Sequence, residues 1–265
     1  MNGIIVTADD LGLSPGVTRG IFEAHRNGVV RSASLLVTFA AGEEAAALAR
    51  AERGLEIGLH LDLVGGRPAA DPARVPSLVD REGRFHRLPE FTLRLMTGRI
   101  RAAHLAIETR AQADRMAGWG IEARAWDSHR HTHLIPPVSR VVAAVARERG
   151  VRWLRRATPP RSAATLKAQL LGASTLITGL SRRGLPGSDW FVDLTALSSR
   201  PDAAAVALYA AYPGLGEIAA HPGYPDDELG ATGDALVLQR HDDLMVLTDP
   251  LLRSAFGDTV RHRVS

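Results

Sequence analysis

The chain has 265 residues, of which 45% are hydrophobic and 23% charged, and it contains no cysteine. This composition is typical of a globular protein and suits one domain over residues 1–265. It excludes disulfides and thiolate chemistry, so any metal must be bound through nitrogen and oxygen. The net charge is only +3 and arginine is spread along the chain, so we expect no nucleic-acid partner. No stretch reads as a membrane span or a secretion signal, which makes a cytoplasmic location the expectation.

Predicted strands and helices alternate along the whole chain. Strands are predicted at residues 3–8, 34–37, 55–63, 123–128, 151–155, 190–194 and 216–220. Helices are predicted at residues 17–27, 40–53, 91–118, 139–149, 163–180, 202–211 and 240–256. Because this alternation is typical of parallel β–α–β units, we predict an α/β fold, closed into a barrel or wound into an open sheet. Residues 65–90 read as a long loop that could form a lid or a substrate wall.

Acidic and basic side chains that could bind a metal or transfer a proton follow five predicted strands. They are Asp9 and Asp10, His60, His129, Arg155 and His221. Because the carboxyl ends of parallel strands open on one face, we expect these side chains to converge at a barrel mouth. Each motif alone has a structural explanation, since the acids also fit a turn or a helix cap and His60 also fits a core histidine.

The segment 127–136 carries three histidines at alternate positions. If the segment is extended, His129, His131 and His133 lie on one face. Imidazoles clustered near carboxylates indicate a divalent metal. The alternative is a helix cap with surface histidines, because the two prolines that follow mark a helix start.

Asp10, His60 and His129 together would form a metal site that leaves positions open for water and substrate. Asp9 would then accept a proton from water, and His221 would donate one to a leaving group. This equipment fits metal-assisted hydrolysis of an acyl bond. The sequence contains neither the G-x-S-x-G motif of serine hydrolases nor a glycine-rich nucleotide loop, so these competing chemistries are not expected.

Four motifs occur in a defined order along the chain: TADDLGLS, IGLHL, DSHRHTHL and AHPGY, at residues 7–14, 57–61, 127–134 and 220–224. Together they resemble the YdjC-like carbohydrate deacetylase family, which includes the chitooligosaccharide deacetylases. The resemblance implies a distorted (β/α) barrel like that of the polysaccharide deacetylases. It implies one divalent metal ion, magnesium in this family, held by Asp10, His60 and His129.

The same resemblance implies Asp9 as the base and His221 as the acid, with Arg155 steadying Asp9. It assigns no ligand role to His131 or His133, which are expected to support neighbours or contact substrate. Two histidines would suit zinc or manganese better than magnesium, because Mg²⁺ prefers oxygen ligands.

The implied reaction is removal of an N-acetyl group from an acetylated amino sugar or oligosaccharide. Residues 75–85 are similar to loops of family members associated with hopanoid biosynthesis, so the sugar stays open, from a chitooligosaccharide to a lipid-linked glycoside. Two alternatives also stay open. One is a metal-dependent hydrolase of another bond, such as a cyclic amide or a phosphate ester, and the other is a non-catalytic sugar-binding protein. A homodimer is the assembly expected from general frequencies.

Overall fold

The computed structural model describes residues 3–160, 165–197 and 202–264. Within these residues, parallel strands form one seven-stranded sheet in the order β5-β4-β3-β2-β1-β7-β6. The strands are β1 Gly3–Leu11, β2 Ser32–Leu35, β3 Glu56–Leu61, β4 Ala125–Ser128, β5 Trp153–Leu154, β6 Trp190–Asp193 and β7 Leu215–Ala220. The helices are α1 Pro15–Arg26, α2 Gly42–Ala49, α3 Leu88–Met96, α4 Ala102–Gly118, α5 Pro136–Glu148, α6 Leu166–Thr178, α7 Ala203–Ala207, α8 Asp227–Thr232, α9 Gln239–Thr248 and α10 Pro250–Phe256.

The sheet curls until its two edges approach each other. The Leu154 N–H of β5 donates to the carbonyl of Pro186, ahead of β6, at 2.9 Å, and the Phe191 N–H of β6 donates to the carbonyl of Thr158, after β5, at 2.7 Å. These bonds join β5 and β6 irregularly, so the barrel is incomplete. The predicted α/β fold with a distorted barrel is therefore confirmed.

The strand β1 lies at the centre of this sheet, between β2 and β7. All nine of its residues are buried, as its apolar, β-branched sequence requires of a strand covered on both faces. Its carboxyl end is thus surrounded by the ends of neighbouring strands, which is where a barrel fold gathers chemistry.

The predicted boundaries differ most in the middle of the chain. The predicted helix at residues 91–118 is two helices, because α3 ends before Gly98, whose φ of +69° is left-handed and favours glycine. The predicted loop at residues 65–90 contains a short 3₁₀ turn at Pro72–Arg74 and the start of α3. The first residues of the predicted helix at 163–180 lie outside the described residues. No helix within the described ranges is long and apolar enough to cross a membrane.

Candidate metal and catalytic site

A bulge in β1 brings two adjacent carboxylates into one site. Ala8 pairs with Ala33 and Leu11 pairs with Leu35, so between these two pairs β1 contains one residue more than β2. Neighbouring side chains of a regular strand point to opposite faces, but a bulge re-aims them. Asp10 carries the distortion with a φ of +69°, a left-handed conformation that aspartate tolerates better than most residues. Asp9 and Asp10 are consequently both buried beside the same strand ends.

Asp10 lies between two imidazoles and a guanidinium. Its Oδ1 is 2.9 Å from His129 Nδ1 and 3.3 Å from His60 Nε2. The two rings are nearly perpendicular, with centroids 5.8 Å apart. The other oxygen of Asp10 accepts a bond of 2.7 Å from Arg240 Nη2. Burial opposes ionisation of Asp10, but His129 and Arg240 hold its pKa well below the ordinary value.

His60 is oriented by a second carboxylate behind it. Its Nδ1 lies 2.6 Å from Asp127 Oδ1, so this nitrogen donates and Nε2 faces Asp10. Metal-binding histidines are commonly held in this way by a carboxylate on the opposite nitrogen. Burial disfavours a charged ring, yet Asp127 and Asp9 raise the pKa of His60 to about 10. A cation bound at Nε2 would take the place of that proton.

The donor set of Asp10, His60 and His129 fits a divalent metal ion. One ligand atom from each lies within 4.8 Å of the others, and the set of two nitrogens and one oxygen suits zinc or manganese. A second group, Asp9, His60 and Asp127, meets the same distance limit. In that second group Arg155 occupies both oxygens of Asp9, and Asp127 accepts from Arg263. In the first group Arg240 occupies only one oxygen of Asp10, and the other oxygen faces the two imidazoles. The first group is therefore the better candidate.

Asp9 is held by a buried arginine. Arg155 donates to both its oxygens, from Nη1 at 2.6 Å and from Nη2 at 2.8 Å. The same guanidinium contacts Asp127 at 3.0 Å and Glu217 at 3.0 Å. A fully buried arginine requires such compensation by carboxylates. The bidentate geometry fixes the direction of the Asp9 carboxylate.

The histidine segment is not extended, and the expectation of one shared face is wrong. β4 ends at Ser128, and residues 129–134 form a 3₁₀ turn in which Arg130 and His131 have φ values of 55° and 54°. Two successive left-handed residues turn the chain, so the three histidines diverge. His129 alone reaches Asp10, whereas His131 Nε2 lies 3.3 Å from Asp193 Oδ2 on β6.

His133 supports Arg155 from the backbone side. Its Nε2 lies 3.1 Å from the Arg155 carbonyl, and its Nδ1 lies 2.6 Å from Ser128 Oγ. Because a carbonyl only accepts, Nε2 is the donor and Nδ1 accepts from the hydroxyl, which describes a neutral ring. Burial, reinforced by Arg182, lowers the pKa of His133 well below the ordinary value, in agreement with that tautomer.

His221 follows β7 at the other side of Asp9 and Asp10. Its backbone N–H donates to Asp243 Oδ2 at 2.8 Å. Its Nδ1 and the second oxygen of Asp243 are buried and have no hydrogen-bond partner in the described part of the chain. Burial lowers the pKa of His221, although Asp193 and the two β1 carboxylates oppose this. Burial raises the pKa of Asp243 to about 7.

Sequence reasoning missed two residues of this site, Arg240 and Asp243, which both lie on α9 far along the chain. They are three residues apart and so share one helix face, and both are fully buried. The available signal was this spacing of two charged residues in a helix that also contains leucines and a valine. Asp127 also received no role from the sequence, although it stands at the start of the histidine motif.

A cavity of about 940 Å³ opens beside His129. Its wall is formed by residues 64–67 and 80–90 on one side and by residues 228–234 on the other. The volume is in the range of ligand-binding clefts. The long segment predicted as a loop thus lines the space next to the candidate metal site.

The fold and the site define a class of protein: a (β/α)-barrel-type chain whose strand ends carry a buried carboxylate–histidine cluster. The sequence profile described as "YdjC-like protein" matches residues 3–258, and the chain belongs to that family. The predicted family resemblance is confirmed.

Curated relatives match nearly the whole chain. A carbohydrate deacetylase from Brevibacillus brevis is 34% identical over 259 residues, covering 96% of this chain and 94% of the relative. One from Geobacillus stearothermophilus is 36% identical, covering 94% and 90%. A chitooligosaccharide deacetylase from Klebsiella pneumoniae is 33% identical, covering 96% and 94%.

A solved structure from Enterococcus faecalis superposes with a TM-score of 0.78 at 27% identity, covering 98% of this chain and 95% of that one. It is described as a "putative cellobiose-phosphate cleavage protein".

Proposed function

We propose that the protein is a metal-dependent hydrolase that removes the N-acetyl group from an acetylated amino sugar or oligosaccharide. The observation that carries the proposal is that the two β1 carboxylates have different partners. Asp10 lies among imidazoles, and Asp9 is bound by Arg155. Relatives named carbohydrate deacetylase and chitooligosaccharide deacetylase support the choice of bond and substrate class.

Asp10, His60 and His129 would hold the divalent ion. When bound, such an ion polarises the acetyl carbonyl and lowers the pKa of water, two effects worth several kcal/mol of barrier. Asp127 fixes the His60 ring, and Arg240 occupies the second oxygen of Asp10. These contacts leave one oxygen of Asp10 and one nitrogen of each histidine for the ion.

Asp9 acts as the base that accepts a proton from the attacking water, while Arg155 keeps its carboxylate in a fixed direction. His221 acts as the acid that delivers a proton to the departing sugar amine. Positioned acids and bases of this kind contribute about 10²–10⁴ each to the rate. The sugar would occupy the cavity beside His129, where residues 80–90 form one wall.

A metal assay coupled to acetate release tests the proposal. Protein stripped with a chelator is reloaded with Zn²⁺, Mn²⁺ or Mg²⁺ and incubated with a panel of N-acetylated mono- and oligosaccharides. We expect acetate release that depends on the added ion and disappears in Asp9→Asn. Zinc or manganese should restore more activity than magnesium.

Two other results would replace the proposal. Sugar binding without acetate release under every metal would identify a sugar-binding protein on the same fold. Phosphate release from a phosphorylated disaccharide, without acetate release, would favour a hydrolase of another bond. A phosphorylated disaccharide is included because the Enterococcus relative is described as a putative cellobiose-phosphate cleavage protein.

A further inference from the structure

The helix α6 packs with its leucines outward. Its buried residues are Gly172, Thr175 and Thr178. Apart from Lys167, Gln169 and Ala173, its exposed side chains are large and apolar, and Leu180 in the turn after it continues the pattern. We call these five side chains the α6 stripe: Leu166, Leu170, Leu176, Ile177 and Leu180, which are 60–83% exposed. An ordinary amphipathic helix buries such residues and exposes its hydroxyls.

The stripe lies on one side of α6, where Gln169 is the polar side chain among its members. At about 100° per residue, its members fall within about 120° of one another around the helix axis. Ala173, which is also exposed, lies in the same sector. Contiguous exposed apolar patches of this kind mark an interaction site. The stripe therefore needs an apolar partner that the described residues do not provide.

Positive charge accompanies the stripe. Between Glu148 and Asp189 the sequence contains no acidic residue. At the end of α6, Arg147 donates to the carbonyl oxygens of Ser181 and Arg183, and Arg156 donates to that of Leu185. Among the described residues, no carboxylate forms an ion pair with Arg147, Arg156 or the exposed Arg183. This end of the surface thus carries uncompensated cations.

The other end of the stripe reaches the rim of the candidate site. Lys167, in the first turn of α6, places Nζ 2.7 Å from Asp193 Oδ2. Asp193 ends β6 and also contacts His131. Its strand neighbour in β7 is Ala219, two residues before His221. A surface that covers the stripe would consequently adjoin the barrel mouth.

We propose that the α6 stripe docks on an anionic lipid surface, with α6 parallel to the surface and the arginines against the headgroups. Helices bind membrane interfaces by burying an apolar face at the headgroup level, and neighbouring cations strengthen the contact with anionic lipids. A second copy of the chain fits less well. An antiparallel two-fold pairing of stripes would place these arginines beside the Lys167 end of the other α6, where Asp193 is already paired with Lys167.

The test is co-sedimentation of the 265-residue chain with vesicles, without substrate, so its outcome is independent of the deacetylase assay. Vesicles are of phosphatidylcholine alone or mixed with phosphatidylglycerol. We expect binding to the anionic vesicles, weakened at high salt. The variant Leu170→Gln, Leu176→Gln, Ile177→Gln, Leu180→Gln should lower partitioning at least about tenfold. The matched control Leu93→Gln, Met96→Gln alters exposed apolar residues of α3 and should bind as the parent does.

A second measurement uses the absence of native cysteine. Leu176→Cys, labelled with an environment-sensitive dye, should show a blue shift when anionic vesicles are added, whereas labelled Leu93→Cys should not. The proposal is overturned if the parent protein binds neither vesicle, or if the α6 variant binds as the parent does. It is equally overturned if light scattering finds a dimer that the α6 variant dissociates, because the occupant is then a second copy.

Discussion

The two carboxylates at the end of β1 are adjacent in sequence and are both buried, but they contact different side chains. Asp10 faces two imidazole nitrogens, which can share an ion with it. Asp9 faces a guanidinium that occupies both its oxygens. The difference follows from the bulge in β1, which aims the two side chains at different partners within one site. Neighbours of the same residue type can thus take different chemical roles when the backbone separates their partners.

The largest effect is expected from Asp10→Asn. The change removes the charged ligand and one of the two carboxylates that pair with Arg240, the other being Asp234. Loss of second-layer partners costs about 10–100-fold in metal affinity, so loss of a direct ligand should cost more than about 100-fold. Elemental analysis of the purified variant should find little bound metal, with acetate release at background. Retention of a full equivalent of metal would contradict the role given to Asp10.

Asp9→Asn should separate catalysis from metal binding. The variant should bind metal as the parent does, because Asp9 lies outside the favoured donor set. Its kcat should fall by about 10²–10⁴, the contribution of a positioned base. Steady-state acetate release beside elemental analysis measures both quantities. An equal loss of metal and activity would remove the distinction between the two carboxylates.

A smaller effect is expected from Asp127→Asn, which changes the partner of His60 without touching the donor set. The amide can still accept from Nδ1 but no longer carries the charge that Asp127 places behind the ring. Metal affinity should fall by about 10–100-fold, measured by competition with a chelating indicator. A metal affinity equal to that of the parent would show that the contact between Asp127 and His60 does not orient the His60 ring for metal binding.

Asp243→Asn should act on stability more than on activity. The folded-state pKa of Asp243 is about 7, above its ordinary value of 3.8. Folding therefore favours the protonated acid, and the unfolding free energy falls as pH rises from about 4 to about 7. The full penalty applies above pH 7 and reaches at most about 4 kcal/mol, which is the free energy that separates the two pKa values. The amide avoids this penalty and keeps an acceptor for the His221 N–H.

Urea unfolding at pH 5 and pH 8 tests this sign. The variant should exceed the parent in stability at pH 8, and the difference should shrink at pH 5. A difference that grows toward acid pH would mean that Asp243 is ionised in the folded protein at neutral pH.

The sequence predicted the sheet well because alternation of apolar strands and amphipathic helices is a local pattern. It also predicted that His60, His129 and His221 follow strands and lie near one another, because the carboxyl ends of parallel strands lie on the same side of the sheet. It could not predict the β1 bulge, which is one extra residue of β1 in its pairing with β2. It could not predict the left-handed turn at Arg130 either. Arg240 and Asp243 come from α9, which packs against α1, and a local sequence pattern does not show which helices pack together.

The outward face of α6 was likewise not predictable from its sequence. Its small and hydroxyl residues are compatible with burial, and its leucines read as core. Only the packed structure distinguishes the exposed side from the covered one. By contrast, the expectation that three histidines share a face failed because alternation in sequence implies one face only in an extended chain.

The most direct test of the account is an anomalous diffraction map from crystals soaked with zinc. We predict one strong peak at about 2.0–2.2 Å from Asp10 Oδ1 and from one nitrogen each of His60 and His129, with Asp9 still paired to Arg155. A peak among Asp9, His60 and Asp127 instead would contradict it, because the two β1 carboxylates would then have exchanged the roles assigned to them.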